Sequence, residues 1–297
     1  MGKHNFTPRS GLIALAALAT LTLAACTKHE PPTIGFAPYD KDYSTKMGLA
    51  QVEYKYPIAP AELAKITPDY LAKLDQEQLD QIYARLSAGP IPDGAFDGRI
   101  LLPRGESGKF RLSEIVGGFT GFGLHLKGLL IEDVGEALWR GKVFFRDERV
   151  LRNRIEDLSI LKKMGLVEGE PKKMSYGGKE TWLLFPAKLY CGQSLLDARR
   201  ESVIIDYFFT DEIPGYQESP DYLAGRRGLK VRDEIRMIRP GLYLGRAYLD
   251  KAFALNFTLY DKATDEKMRD EFAKTGTVQQ DCWTGTQARA VTVSAKP

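Results

Sequence analysis

Residues 231–260 read VRDEIRMIRPGLYLGRAYLDKAFALNFTLY. Two turn signals divide this run. Arg239-Pro240-Gly241-Leu242 has proline second and glycine third, the order of a type II turn. Asp250-Lys251 fits a two-residue connection. The pieces between, Val231–Ile238, Leu242–Leu249 and Ala252–Tyr260, are rich in β-branched and aromatic residues and are expected to form an antiparallel meander. Pairing outward from the two turns sets Leu242, Leu244, Arg246 and Tyr248 opposite Leu259, Phe257, Leu255 and Phe253, all on one face. Arg246 is the charged member of that set. Asp233 shares the face with Val231, Ile235 and Met237 and lies diagonal to Arg246, within reach of a long side chain.

Such a pair on an apolar face has two readings: a buried structural ion pair, or a head-group clamp. In the clamp, guanidinium holds a carboxylate or phosphate while aromatic walls hold an acyl chain. The candidate ligand residues are therefore Arg246, Asp233, Tyr248, Phe253 and Phe257. Gly245 and Ala247 fall on the other face, where small residues leave room for a helix.

Upstream, Arg99–Leu102, Val143–Phe145, Thr181–Leu184, Ala187–Tyr190 and Ser202–Phe209 also read as strands, the third and fourth separated by Pro186. Val278–Val293 has room for one or two more. Helical signals precede them. Thr67-Pro68 offers an N-cap with proline at the first helical position, and Asp75-x-x-Gln78 a capping box before Leu79, Ile82, Tyr83 and Leu86. Gly89-Pro90 ends that helix. Residues 112–138 read as a helix with a glycine-rich start, Val116 to Gly123, which lacks both the dinucleotide glycine order and a Walker lysine. The expected fold is α+β: N-terminal helices packed on an antiparallel, lipocalin-like β-barrel or strongly curled meander sheet. Leu242–Tyr248 followed by Phe253–Leu259 resembles the closing strands of lipocalin-like (calycin) barrels. That resemblance implies a barrel for small hydrophobic ligands, in a family whose bacterial members include outer-membrane lipoproteins.

The N-terminus reads as an address. Lys3 and Arg9 precede an uncharged run over 11–25, too short to span a bilayer, and Cys26 follows. Leu23-Ala24-Ala25-Cys26 resembles the bacterial lipobox, which implies cleavage before Cys26 and its acylation. Each buried CH₂ contributes about 0.8 kcal/mol, so two or three chains anchor stably. Thr27, in place of an aspartate, implies the outer membrane. The expected organisation is a signal peptide over 1–25, a lipidated, proline-rich tether over 26–60, a helical region with a short strand over 61–138, and the barrel over 139–297. Cleavage shortens 297 residues to 272 and takes Lys3 and Arg9 with it, so a net charge of +3 falls to +1. No basic stripe then points to nucleic acid.

Cys191 and Cys282 remain, an even pair expected to form a disulfide in an oxidising compartment. His29 and His125 are the only histidines after processing, so neither a metal site nor a serine–histidine machine is well supplied, and no cofactor is implied. Acids are plentiful: Asp93, Asp97, Glu201, Asp206, Asp211 and Glu234. None has a diagnostic spacing. Binding of a lipid-like small molecule ranks first, a non-catalytic envelope scaffold with a filled barrel second, and a periplasmic hydrolase third.

Overall fold

The computed structural model describes residues 1–2, 30–39, 46–105, 139–163 and 165–285. Cys26, His29, His125, the expected helix over 112–138 and the signal segment beyond its first two residues lie outside the described residues, as does the last part of Val278–Val293.

Residues 231–260 form three consecutive antiparallel strands, β7 (Val231–Arg239), β8 (Leu242–Leu249) and β9 (Ala252–Tyr260). Before them come β1 (Gly94–Leu101), β2 (Trp139–Phe145), β3 (Val150–Ile155), β4 (Met174–Tyr176), β5 (Lys179–Gln193) and β6 (Glu201–Asp206). Each strand pairs antiparallel with its neighbour, β3 pairs with β5, and β1 pairs with β9. The result is a closed eight-stranded antiparallel barrel, with β4 hairpinned onto β5 outside the ring. Closure removes the unpaired edges that a curled sheet would expose.

Both turns lie where the sequence places them: Arg239 pairs with Leu242, and Leu249 with Ala252. Gly241 has φ 79°, the left-handed value that a type II turn requires at its third position. Tyr248 opposes Phe253 as expected, but the rest of the pairing between the turns differs. One bulge between Met237 and Arg239, and another opposite Ala247/Tyr248, each shift the register by one residue. A one-residue slip moves side chains to the other face. Arg246 therefore opposes Glu234 and Asn256, whereas Asp233 opposes Ala247 and Phe257 opposes Gly245.

The inner face carries Phe96, Phe144, Leu151, Leu189, Val203, Ile205, Tyr207, Ile235, Met237, Tyr243, Phe257 and Leu259 in one buried core. Outside, α4 (Gln76–Ala84) lays Leu79, Ile82 and Tyr83 on Leu101, Ile238, Leu242 and Leu244. Both expected caps are present. Thr67 Oγ1 accepts from Tyr70 N at the start of α3 (Pro68–Leu71), and the Asp75/Gln78 capping box of α4 is complete. Two short helices precede them, α1 (Leu49–Lys55) and α2 (Pro60–Lys65). Residues 31–39 and 46–60, expected within a tether, lie against this body: Ala37 and Gln81 exchange two hydrogen bonds at 2.8 and 3.1 Å. The described residues from Pro31 onward form one compact unit, and β1, from the expected helical region, is a barrel strand.

Further differences are local. Pro186 does not end a strand; β5 runs through it with Phe185 at φ 51° and a register shift against β3, because proline is tolerated where the ladder is already interrupted. Residues 278–285 contain no strand. After the short α5 (Ser159–Lys163) and α6 (Glu218–Asp221), the long helix α7 (Lys262–Thr275) was not expected. Asp261 caps its first turn and Gly276 ends it at φ 65°.

One end of the barrel, near Gly241, is covered by α2, α7 and residues 86–93, and tied by the Cys191–Cys282 disulfide. The other end, near the Asp250-Lys251 turn, carries the polar interior.

Candidate ligand site

Two glycines shape the inner wall toward the Lys251 end. A Cβ on Gly245 would lie 2.2 Å from the Phe257 ring, and one on Gly98 would lie 2.5 Å from Trp139. Their absence lets both rings lie against the sheet, edge to face with centroids 5.7 Å apart. Beneath them Lys142 Nζ donates to Asn153 Oδ1 at 2.9 Å and Tyr207 Oη at 2.5 Å, and pairs with Asp233 Oδ2 at 3.0 Å. Trp139, Tyr207 and Phe257 surround the ammonium at 5.2–5.3 Å. Trp139 Nε1 completes the set by donating to Asn153 Oδ1 at 2.9 Å.

Burial governs the electrostatics. It pushes the Asp233 carboxyl up and the Lys142 ammonium down, and the attraction between them only partly opposes this. Asp233 Oδ1 meets no donor among the described residues.

The five residues expected to form one clamp are divided by the sheet. Asp233 and Phe257 face the interior; Arg246, Tyr248 and Phe253 lie on the outer wall. There Arg246 is fully buried, its Nη1 bonded to Asp80 of α4, its Nε 2.9 Å from Tyr248 Oη, and its guanidinium 4.3 Å from the Phe253 ring centre. Glu234 Oε1 stands 3.9 Å from the same Nε. This is the structural ion pair of the two readings, with Asp80 rather than Asp233 as partner. The inner residues that sequence reasoning missed are Lys142, Asn153 and Tyr207. Lys142 was accessible by parity, because it shares a face with Phe144 in the apolar piece Val143-Phe-Phe145. Asn153 was not, since β3 itself was unrecognised.

Outside this core, a cavity of about 440 Å³ opens at the Lys251 end. Leu166, Leu223, Leu229 and Leu249 line it, with Arg227 and Lys230 among the residues around it. Val231 and Leu255 pack both on the inner core and against Leu249 and Ala254. A second cavity, about 250 Å³, lies at the Gly241 end between Phe96, Met237, Tyr243 and Met268. The first falls within the roughly 300–1,000 Å³ range of small-molecule sites, and the second below it.

The acids considered for catalysis are engaged elsewhere. Asp206 accepts from Tyr190 Oη and from Phe208 N, Glu234 from Ser194 Oγ and Leu195 N, and Glu201 from Trp283 N. Asp97 pairs with Arg154, Asp211 with Arg226, and Asp93 accepts from Arg146 N. Cys191, Glu201 and Cys282 bring three potential metal ligands within 4.8 Å of one another, but both sulfurs are spent in the disulfide. Among the described residues, no helix is long and apolar enough to cross a membrane. No family model matches the chain, and no curated protein or solved structure matches it either.

Proposed function

We propose that this protein is an envelope lipoprotein, anchored through Cys26 in the outer membrane and facing the periplasm, that binds an amphiphilic small molecule at the Lys251 end of its barrel. The observation that carries the binding reading is the 440 Å³ cavity walled by Leu166, Leu223, Leu229 and Leu249. Its walls suit an acyl chain, and exposed Lys230 offers a cation to an anionic head group. The ligand site is thus an end pocket, because the middle of the barrel is occupied by its own side chains. The lipobox and the signal segment support the anchor.

Titration of the folded protein with a fluorescent fatty acid tests this reading. Saturable binding is expected, weakened at least tenfold by Leu249→Arg, since a buried charge at the wall exceeds the 1.4 kcal/mol that tenfold requires. Arg246→Lys, on the outer wall, leaves the affinity unchanged. No saturable binding by folded protein sinks the reading. A second reading, a non-catalytic envelope scaffold, is favoured by the packing of Phe96, Phe144 and Tyr243 toward the Gly241 end of the barrel, with ring centroids 5.5 and 5.8 Å apart. It predicts no binding at all.

A further inference from the structure

Only a short leash separates the proposed anchor from the folded body. Pro32 is buried, and Thr33 N donates to Glu62 Oε2 of α2 at 2.6 Å. Arg85 Nη1 then holds Gly35 O at 2.9 Å. The six-residue step from Cys26 to Pro32 spans at most about 21 Å when fully extended. Acyl chains on Cys26 therefore keep this part of the body close to the bilayer.

Glu62 sits at the Gly241 end. Its helix packs on α7 so closely that a Cβ on Gly276 would come 2.6 Å from Pro60 Cγ. Arg239, at the end of β7, bonds Ile66 O just beyond the same helix. Strands of eight and nine residues separate this end from the Lys251 turn, a length of about 25–30 Å.

Two large apolar side chains stand exposed on segments tied to the Gly241 end: Tyr54 (86%), beside Glu53, whose partner Arg200 also bonds Leu86 O, and Trp283 (52%), next to the disulfide-bonded Cys282. Their segments are stitched together. Glu53 of α1 binds Arg199 and Arg200 through oxygens 2.6 Å away, and Glu201 holds Trp283 by a backbone bond of 2.9 Å and a side-chain bond of 2.8 Å. Exposed Lys55 adjoins Tyr54. Tyrosine and tryptophan suit the membrane–water boundary, with an apolar ring and a polar tip, and lysine suits anionic head groups.

We infer that the Gly241 end of the barrel faces the phospholipid surface and touches it through Tyr54 and Trp283, so that the pocket at the Lys251 end points away from the membrane. This orientation rests on the lipid-anchor reading of Cys26. The test uses full-length protein extracted from membranes and reconstituted in phosphatidylglycerol/phosphatidylethanolamine vesicles carrying bromine on their acyl chains. Tryptophan emission is expected to fall, by the share that Trp283→Phe removes. A fluorophore placed through Lys251→Cys keeps its full intensity against the same lipids. Mass spectrometry of the extracted chain separates the two claims. An unmodified Cys26 overturns anchor and orientation together. An acylated chain whose Trp283 is not quenched, or whose label at 251 is quenched, overturns the orientation alone.

Discussion

Strands β7 and β8 carry a buried ion pair on each face, and the two are built differently. Outside, Arg246 is clamped by Asp80, Tyr248 and Glu234 between the barrel wall and α4. Inside, Lys142 and Asp233 face each other across the barrel within a cage of rings. Burial depresses both cations. For Arg246, Asp80, Tyr248 and Glu234 outweigh it and raise the guanidinium above its ordinary value; for Lys142, burial wins. Guanidinium also spreads its charge over several donors, so it tolerates burial better than a compact ammonium. The outer pair therefore fastens a helix to the barrel, whereas the inner pair holds its charge only weakly.

The largest effect should come from breaking the outer pair. Asp80→Ala leaves a buried guanidinium with Glu234, 3.9 Å away, as its one remaining carboxylate among the described residues, and is expected to cost about 3–5 kcal/mol in urea unfolding at neutral pH. A loss under ~1 kcal/mol would show that Glu234 substitutes fully and that the clamp is redundant.

Lys142→Met should cost less, about 2–3 kcal/mol at neutral pH, because Asp233 can escape by taking a proton. Its folded value is already raised by burial and rises further without Lys142. A carboxyl whose folded value is raised favours the fold below its unfolded value, near 3.9, and that advantage is lost as pH rises through the raised folded value. The variant should thus approach wild-type stability near pH 4 and weaken steadily toward neutrality. A gap independent of pH would show that Asp233 is not the group left behind.

Smaller still is the expected effect of removing both charges. Lys142→Met/Asp233→Leu leaves Asn153 Nδ2 bonded to Tyr207 Oη at 3.0 Å and should lie within ~1 kcal/mol of wild type, since a buried pair gains little over apolar residues of like size. A loss as large as that of Lys142→Met alone would mean that the pair stabilises the barrel in its own right.

How much of this was legible turns on single residues. Pro240-Gly241 and Asp250-Lys251 locate both turns of the meander, and Thr67 and Asp75 mark two helix starts, because each is a local interaction within four residues. The bulges were not legible. They are settled by what packs beyond the strand: Met237 fills the barrel, whereas the consecutive residues Ile238 and Arg239 both reach elements outside it, the α4 layer and Asp265 of α7, and no two-residue alternation serves both. That one displacement separated Arg246 from Asp233 and hid the inner site. Lys142 was legible by its parity with Phe144, but its partner Asn153 was not, since it lies on the unrecognised β3; Asp261 and Gly276 bracket α7 with ordinary cap signals that a strand-rich context obscured.

An exposed pair calibrates the comparison at its weak end. Arg140 of β2 and Glu156, just past the end of β3, meet in a contact of 3.0 Å, close to those of the buried pairs, yet their side chains are 50% and 53% exposed. Water screens such a pair, and holding two long side chains in one geometry costs entropy, so Glu156→Gln should change stability by less than ~0.5 kcal/mol. The effect should fade further in high salt, while the Asp80→Ala loss should persist, because little mobile salt reaches a fully buried guanidinium. If added salt erased both effects alike, the outer pair would be open to solvent, and the contrast between the two faces of β7 and β8 would fail.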